Sequence, residues 1–235
     1  MPSRNSQAPS RRAKPSKDPN AAYLQEVGKG RELKDRFMAT QPESPFSEAS
    51  LSFQGLKYFP IDPTWRVSAR FRESPGSEEV WLRTSQDGHA SMRRLGELSF
   101  QRGGKSHALL LFHAGPQAGN VAFLPFRDLT SGKETYGPGR YLNLELQEGP
   151  SYELDFNQAF NPYCAYTSGY ECPFPPVEND LRAAVRAGEK VYDPKNNPSS
   201  PQEAIRLLTV RFRERMASRK LTAEPTRAPK PSAGG

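Results

Sequence analysis

From about residue 53 onward, apolar residues recur at alternate positions in short runs that are separated by turn-forming residues. In the first run Trp65, Val67, Ala69 and Phe71 alternate with other residues, a period of two that is typical of a strand with one buried face. Seven such runs are present: Trp65–Glu73, Glu79–Thr84, Ser91–Phe100, His107–Phe112, Val121–Arg127, Tyr141–Leu146 and Tyr152–Phe156. The connections, such as Ser74-Pro75-Gly76, are too short for crossover helices, so the strands should be antiparallel. The sequence predicts a mainly β fold, either a small antiparallel barrel or a sandwich. The barrel could be of the split-barrel type.

A helix is expected before the strands. Asp18 followed by Pro19 resembles a helix start, and four apolar residues form an imperfect helical stripe that Gly28 and Gly30 interrupt. The stripe consists of Leu24, Val27, Leu33 and Phe37. Because glycine is a poor helix former, the pattern predicts a weak helix over roughly residues 19–39.

The pattern changes again after the last strand. Residues 161–176 have neither helical nor strand periodicity and should form an irregular packed segment. A helix is then predicted from Val177, with Leu181 and Val185 on its apolar face and Gly188 as its stop.

The last helical pattern lies near the end of the chain. Ser200, Pro201 and Glu203 match a capping box, and four apolar residues follow at helical spacing: Ile205, Leu208, Phe212 and Met216. The expected organisation has four parts: a disordered basic tail (1–18), one β-rich domain with an N-terminal helix (19–192), a linker with a C-terminal helix (193–221) and a second disordered tail (222–235).

Charge is concentrated at the two ends of the chain. The net charge is +7, but residues 1–18 and 211–235 together hold twelve basic and three acidic residues. The residues between them therefore carry a small net negative charge, and nucleic acid is not an expected partner of the folded body.

Cysteine content and hydropathy bear on the cellular location of the protein. No apolar stretch is long enough to span a bilayer, and residues 1–19 lack the apolar region of a secretory signal. The expected location is therefore cytoplasmic, where Cys164 and Cys172 should be free thiols. Two cysteines with seven residues between them do not match a zinc site.

Two polar segments interrupt the apolar pattern and hold the candidate chemistry. The first, residues 126–141, contains the candidate catalytic pair Asp128 and Glu134 together with Arg127, Lys133, Tyr136 and Arg140. The second, residues 154–179, adds Asp155, Asn157, Asn161 and Tyr166. These eight further residues are the candidate ligand-binding residues of a polar pocket at one end of the barrel. The alternatives are a solvated hairpin for the first segment and a structural plug for the second.

Individual residues of this pocket have more than one possible role. Arg140 could bind a phosphate or carboxylate through its planar fork, or it could form an internal ion pair with Glu134 or Asp128. The carboxylates Asp128, Glu134 and Asp155 could also hold magnesium or calcium.

Dense sequence motifs lie across residues 44–192: Ser44-Pro45-Phe46, residues 53–60, Phe123–Asp128, Thr130–Gly132, Glu134–Gly137, Gly139–Leu142, Leu154–Asn157, Asn161–Tyr166, Cys172-Pro173, Pro175-Pro176, Glu178-Asn179 and Ala187–Lys190. Together they resemble a widespread, mostly bacterial family of uncharacterised proteins that carry a domain-of-unknown-function label. Departures are small: Pro138 stands where the family often has glycine, and Phe174 where it often has leucine. The resemblance favours a functional role for the two polar segments, and it implies no particular reaction.

Several common enzyme sites are excluded by the sequence. Gly132-Lys133 is followed by Glu134 instead of Ser or Thr, and Arg127 occupies the place of the first glycine, so no phosphate-binding P-loop is present. No Gly-x-Ser-x-Gly elbow exists, and the histidines lie in the middle strands, away from Cys164. These patterns disfavour nucleotide hydrolysis by a P-loop, serine hydrolases and Cys–His proteases.

Three functions remain open. The leading hypothesis is a small-molecule-binding barrel whose ligand is flavin mononucleotide, with Arg140 and Lys133 toward the phosphate and tyrosines beside the ring. The second is a hydrolase or lyase, with or without a metal, that uses Asp128 and Glu134 as acid and base. The third is a non-enzymatic interaction module whose basic tails and last helix bind a partner.

Overall fold

The computed structural model of the chain describes residues 19–47, 53 and 55–192. One α-helix, α1 (Pro19–Thr40), precedes six strands in this part of the chain. The strands are β1 (Arg66–Arg83), β2 (His89–Arg102), β3 (Lys105–His113), β4 (Val121–Phe126), β5 (Arg140–Glu145) and β6 (Ser151–Asp155). Short 3-10 helices span Pro63–Trp65, Pro116–Ala118, Phe156–Gln158, Tyr163–Ala165 and Val177–Asn179. The predicted tails, linker and C-terminal helix lie outside the described residues.

The six strands form one antiparallel sheet in the order β5-β4-β3-β2-β1-β6. Its two edge strands approach each other where Tyr141 of β5 exchanges backbone hydrogen bonds of 2.9 and 3.0 Å with Phe160, just after β6. The sheet is therefore a nearly closed barrel. The predicted mainly β fold with an antiparallel barrel is confirmed.

The first two predicted strands are one strand of 18 residues, so the turn predicted at Ser74-Pro75-Gly76 is wrong. The pairing of β1 with β2 shifts between Glu73 and Glu78, which marks a bulge at this place. A bulge leaves residues out of the hydrogen-bond ladder, and Pro75 has no N–H to contribute to that ladder. The chain therefore passes through Pro75 without reversing direction.

The alternating residues of the strands meet inside the barrel, as their period predicts. Phe156 lies at the centre, with its ring centroid 5.3–5.7 Å from those of Trp65, Phe100 and Phe126. The surrounding buried residues come from all six strands and include Ala69, Leu98, Leu109, Leu111, Leu124, Leu142, Tyr152 and Leu154. Burial of each large apolar side chain contributes about 1.5–3 kcal/mol, which makes this cluster the main stabilising element of the domain.

Helix α1 is present as predicted, but it buries a different face. Leu24, Leu33 and Phe37 are 37–51% exposed, whereas Tyr23 and Met38 are almost fully buried. Of the predicted stripe only Val27 is buried. The helix instead presents a mixed face to the barrel, and the residues of this face form one wall of the candidate site. No helix in the described part of the chain is long and apolar enough to cross a membrane.

The helix predicted from Val177 is wrong. Only Val177–Asn179 is helical, as a single 3-10 turn. The backbone beyond it pairs with the residues after β4: Arg127 donates to Asn179 (3.0 Å), and Leu181 donates to Arg127 (2.8 Å). The predicted apolar residues Leu181 and Val185 are buried nevertheless, because the extended segment covers the end of the barrel.

Residues 161–176 form the irregular packed segment that the sequence predicts. Their only helical turn is Tyr163–Ala165, and the segment is bonded to the end of β1. Ser85 donates to Cys172 (2.9 Å), and Phe174 donates to Arg83 (2.6 Å). These bonds satisfy backbone groups that no regular element would satisfy.

Candidate functional site

A cleft of about 380 Å³ separates helix α1 from the barrel, and we refer to it as the α1 cleft. The helix contributes one wall, and the ends of β1 and β6 contribute the other. The lining residues are Tyr23, Glu26, Val27, Gly30, Arg31, Lys34, Tyr58, Arg66, Glu153, Asp155, Asn157, Gln158, Ala159, Phe160 and Glu189. A volume of this size is within the range of small-molecule sites.

Asp155 and Asn157 form the floor of the α1 cleft. The Asp155 carboxylate accepts hydrogen bonds from the Tyr23 hydroxyl (2.8 Å) and from the Asn157 backbone (3.0 Å). The Asn157 side chain in turn donates to Tyr23 (2.9 Å) and to the Asp62 carbonyl (2.8 Å). Burial and the neighbouring Asp155 raise the pKa of Tyr23, so its hydroxyl stays protonated as a donor. The network fixes α1 against the end of β6.

Glu189 is the second anchor of the α1 cleft and is 1% exposed. Its carboxylate accepts hydrogen bonds from the Tyr166 hydroxyl (2.5 Å) and the Asn161 backbone (2.9 Å). Lys34 of α1 pairs with the other oxygen at 2.5 Å. The buried charge is therefore compensated by one cation and two further donors, as a buried carboxylate requires.

Arg31 differs from the other cations of the α1 cleft. Its two terminal nitrogens donate to the carbonyls of Phe59 (2.8 Å) and Asn157 (3.3 Å), and its guanidinium lies 4.5 Å from the centre of the Tyr58 ring. Among the described residues no carboxylate lies within 4 Å of it, whereas Lys34 and Arg66 each have such a partner. Burial lowers the pKa of Arg31, and the nearby Asp155 and Glu189 carboxylates oppose this effect without contacting the guanidinium.

Two polar atoms beside this charge lack hydrogen-bond partners. They are the Nε of Arg31 and the hydroxyl of Tyr58, both covered by protein and without a partner in the described part of the chain. Burial, reinforced by Glu189, raises the pKa of Tyr58, so its hydroxyl remains a donor. Unsatisfied buried donors cost about 1–3 kcal/mol each. Both residues contribute to the lining of the α1 cleft, where a bound ligand could satisfy these donors.

Arg140 and Asp128 lie in the interior. Arg140 is 1% exposed and pairs with Asp128 at 2.9 Å, which is one of the two ion pairs that the sequence allows. Its remaining hydrogen bonds reach the carbonyls of Val185 (2.9 Å), Ala187 (2.5 Å) and Glu189 (3.0 Å). Asp128 also accepts from the backbone and hydroxyl of Thr130 at 2.6 and 2.5 Å. The pair thus holds residues 185–189 against the loop after β4.

The other predicted residues of the loop after β4 do not share one site. Lys133 is exposed, and Glu134 pairs with Arg186 at the surface (3.0 Å). Arg127 is partly buried, and burial lowers its pKa. The Tyr136 hydroxyl lies 3.5 Å from the sulfur of Cys164.

The structure therefore divides the predicted pocket in two. Asp155 and Asn157 line the α1 cleft, and Asn161 and Tyr166 reach it through Glu189. The other six residues are not part of the cleft lining: Arg127, Asp128, Lys133, Glu134, Tyr136 and Arg140. No group of three metal-ligating side chains occurs in the described residues, so the suggested cation site formed by Asp128, Glu134 and Asp155 does not assemble.

Among the lining residues that were not predicted as site residues, four carry the charges and hydroxyl discussed above: Arg31, Lys34, Tyr58 and Glu189. Tyr58 and Glu189 lie inside two of the matched motifs, residues 53–60 and Ala187–Lys190, but no role was evident for them. Arg31 and Lys34 share a helix face with Val27, a spacing that places charges beside a buried apolar residue. This stripe of charged and apolar residues was the feature of the sequence that could have indicated the cleft.

Comparison with known proteins finds a family model and a solved structure that are similar to the chain. A family model described as "Protein of unknown function (DUF1684)" matches residues 51–190. The solution NMR structure of an uncharacterised protein from gene locus rrnAC0354 of Haloarcula marismortui is similar, with 38% sequence identity and a TM-score of 0.58. The similarity covers 73% of this chain and 95% of that one. None of the curated proteins compared with the chain matches it.

Proposed function

The chain belongs to the DUF1684 family of proteins of unknown function, and from its geometry we propose that it binds a small organic anion in the α1 cleft. The observation that supports this proposal is the half-buried charge of Arg31, which faces the cleft without a carboxylate partner among the described residues. The proposal concerns binding, and it assigns no reaction to the site.

The lining of the cleft holds three cations and four carboxylates, and its ion pairs leave Arg31 without a contacting carboxylate among the described residues. Lys34 and Arg66 are neutralised by Glu189 and Glu153 at 2.5 and 2.7 Å. Both oxygens of Asp155 already accept hydrogen bonds, and Glu26 is exposed. Arg31 is therefore the one cation of the lining whose strongest interaction is still available.

The geometry of Arg31 suits a carboxylate or a phosphate. A guanidinium has five N–H donors in a planar fork, and two of them are used for the carbonyls of Phe59 and Asn157. A bidentate anion would satisfy further donors, and the Tyr58 hydroxyl could donate to the same ligand after a small displacement of its ring. Charge-assisted hydrogen bonds of this kind are about twice as strong as neutral ones.

The walls of the cleft favour a ligand with a flat ring. Tyr23, Tyr58 and Phe160 all contribute to the lining. Each ring has a cation over one face, namely Arg66 over Tyr23, Arg31 over Tyr58 and Lys34 over Phe160, so a ligand ring would contact the opposite face or the edge. We therefore expect an anion attached to an aromatic or similarly flat group.

Flavin mononucleotide combines a ring with a phosphate and remains a prediction within this class. Because the side chain of Arg140 has no exposed area, we propose Arg31 in its place as the partner of the phosphate. The same burial of Asp128 gives a substrate no access to the proposed acid–base pair, and nothing in the described residues favours the hydrolase. A cytoplasmic location also remains a prediction.

The test begins with ligand identification. The purified full-length chain is examined by native mass spectrometry and by absorbance, and its thermal unfolding is measured with a panel of aromatic carboxylates, nucleoside monophosphates and flavin mononucleotide. A ligand present at 100 times its dissociation constant stabilises the folded state by about 2.7 kcal/mol and raises the unfolding temperature. We expect at least one aromatic anion to do so, and a panel without any binder would contradict the proposal.

The Arg31→Met variant tests the site itself. Methionine preserves much of the apolar contact of the side chain and removes the charge, so a bound anion should lose at least about tenfold in affinity, which corresponds to about 1.4 kcal/mol. The matched control is Arg36→Met, because Arg36 is an exposed cation on the same helix and is not part of the cleft lining. Isothermal titration with the anion found in the panel compares the two. Equal affinity of both variants would show that the anion binds elsewhere.

A further inference from the structure

Gly30 lies on the face that α1 presents to the α1 cleft, and it has no side chain to fill the space in front of it. The residues of α1 that line the cleft recur at helical spacing: Tyr23, Glu26, Val27, Gly30, Arg31 and Lys34. Gly30 is exposed, whereas Val27 is buried one turn earlier. The helix therefore leaves part of its cleft face as bare backbone.

The usual structural reasons for a glycine do not apply to Gly30. Its φ is not positive, so the backbone conformation does not require glycine. Apart from its chain neighbours and the helix backbone, a Cβ atom at this position would have no heavy atom within 4 Å, so no close approach of another segment requires glycine either. Glycine in a helix interior is less stable than alanine. The helix thus contains a destabilising residue where the fold would accept a side chain.

We propose that Gly30 limits the size of the ring that the α1 cleft accepts, and that the flat ring of the bound anion lies against its backbone. This inference rests on the proposed binding of an aromatic anion in the cleft. It adds the position of the ring and the residue that selects among aromatic anions by size. A ligand atom occupies the place that a Cβ atom would otherwise take.

Contacts on either side of Gly30 keep this space open. Tyr23, nearer the start of α1, donates to the carboxylate of Asp155 (2.8 Å). Lys34, one turn after Gly30, pairs with Glu189 at 2.5 Å. Because both contacts tie α1 to the barrel, the helix is held at a fixed separation from it, and the space at Gly30 is part of the folded structure.

Arg31 places the anionic group beside this space. It follows Gly30 directly in the helix, and its guanidinium lies 4.5 Å from the centre of the Tyr58 ring. All three residues line the same cleft. An anion bound by Arg31 and by the Tyr58 hydroxyl therefore has the rest of its molecule next to Gly30. Benzoate and 1-naphthoate are suitable probes, because they carry the same anionic group on one ring and on two fused rings.

NMR spectroscopy of the isotope-labelled, full-length chain tests the position of the ring. The ring current of bound 1-naphthoate should shift the Gly30 amide resonance, and the Gly28 amide should shift much less, because Gly28 is not part of the cleft lining. The Nε–H resonance of Arg31 reports contact with the anionic group separately. A shift at Arg31 with an unchanged Gly30 amide would overturn this inference and leave the proposed function intact.

The opposite pattern is also informative. A shift at Gly30 with an unchanged Arg31 resonance would support the position of the ring and contradict the proposed contact between Arg31 and the anion. If neither aromatic acid nor flavin mononucleotide shifts either resonance, both the inference and the proposed function are overturned.

Gly30→Ala and Gly28→Ala form a matched pair of variants. A Cβ atom would have no heavy atom within 4 Å at either position, so both variants should fold, and each should unfold at a temperature higher by up to about 4 °C. Only Gly30→Ala should lose affinity for 1-naphthoate, by at least about tenfold, whereas its affinity for benzoate should fall by less than about threefold. Isothermal titration measures both affinities.

The dependence on ring size separates this role from a general disturbance of the cleft. Equal losses for benzoate and 1-naphthoate in Gly30→Ala would contradict a limit on ring size. If Gly30→Ala and Gly28→Ala bind 1-naphthoate equally well while Arg31→Met binds it more weakly, the anion occupies the cleft but its ring does not lie at Gly30. That result would overturn the inference alone.

Discussion

Replacement of Arg140 by methionine should lower the free energy of unfolding by about 3–5 kcal/mol, the cost of leaving one member of a buried ion pair without its partner. Asp128 would keep its charge in the interior after the loss of a guanidinium at 2.9 Å. Three carbonyls, those of Val185, Ala187 and Glu189, would lose a donor as well. Urea unfolding followed by circular dichroism measures the change.

A surface ion pair of the same region provides the control. Arg186 pairs with Glu134 at 3.0 Å, but its guanidinium is fully exposed, so Arg186→Met should leave the unfolding midpoint unchanged within error. A double variant, Arg140→Met with Asp128→Asn, removes both buried charges, keeps an amide oxygen that can accept from Thr130, and should recover part of the loss. If Arg140→Met is as stable as Arg186→Met, the buried pair does not hold residues 185–189 in place.

The effect of Arg140 should extend to the α1 cleft. Its guanidinium is bonded to the carbonyl of Glu189, and the carboxylate of Glu189 is bonded to Lys34 of α1. One chain of contacts thus joins the loop after β4 to the wall of the cleft. The sequence predicted the candidate site residues as one pocket. In the structure hydrogen bonds through the interior connect several of them, and only Asp155 and Asn157 line the cleft.

Strands with one buried face were predictable, because a period of two in the apolar residues reports that face directly. In β6 the buried Tyr152 and Leu154 alternate with exposed residues, and the predicted run differs from the observed strand by one residue at each end. In the segment after Val177 the spacing of the apolar residues also fits a helix, and a helix was predicted. The sequence does not show that the backbone of Arg127 forms hydrogen bonds with Asn179 and Leu181, which hold this segment in a non-helical conformation. Hydrogen bonds between distant segments decided that element.

The candidate site was less predictable, because polar residues that hold a fold together resemble polar residues that bind a ligand. Arg140 and Asp128 have the composition of a phosphate site, yet the structure pairs them in the interior. Arg31 lies on a helix with two glycines and an irregular stripe, where the only signal is a cation at helical spacing from the buried Val27. What distinguishes the two arginines is whether a carboxylate lies beside them, and only the tertiary structure decides that.

The contact between β3 and β4 depends on a side chain. The register of Phe112 with Phe123 places Leu110 opposite Pro125, and Pro125 has no N–H to donate to the ladder. Asn179 fills the gap with its amide. Its oxygen accepts from the Leu110 backbone (2.7 Å), and its nitrogen donates to the carbonyls of Leu110 (2.9 Å) and Pro125 (2.7 Å).

Asn179→Ala should therefore lower the free energy of unfolding by at least about 3 kcal/mol, since three buried backbone groups lose their partner at about 1–3 kcal/mol each. Hydrogen exchange followed by NMR should show that the Leu110 amide, normally protected by Asn179, exchanges much faster in the variant. Asn120→Ala is the matched control, because the one hydrogen bond of its side chain, to the Leu146 carbonyl, is exposed and its loss should change stability by no more than about 0.5 kcal/mol. If the Leu110 amide stays protected in Asn179→Ala, β3 and β4 pair directly, and the side-chain amide is dispensable for closing the barrel.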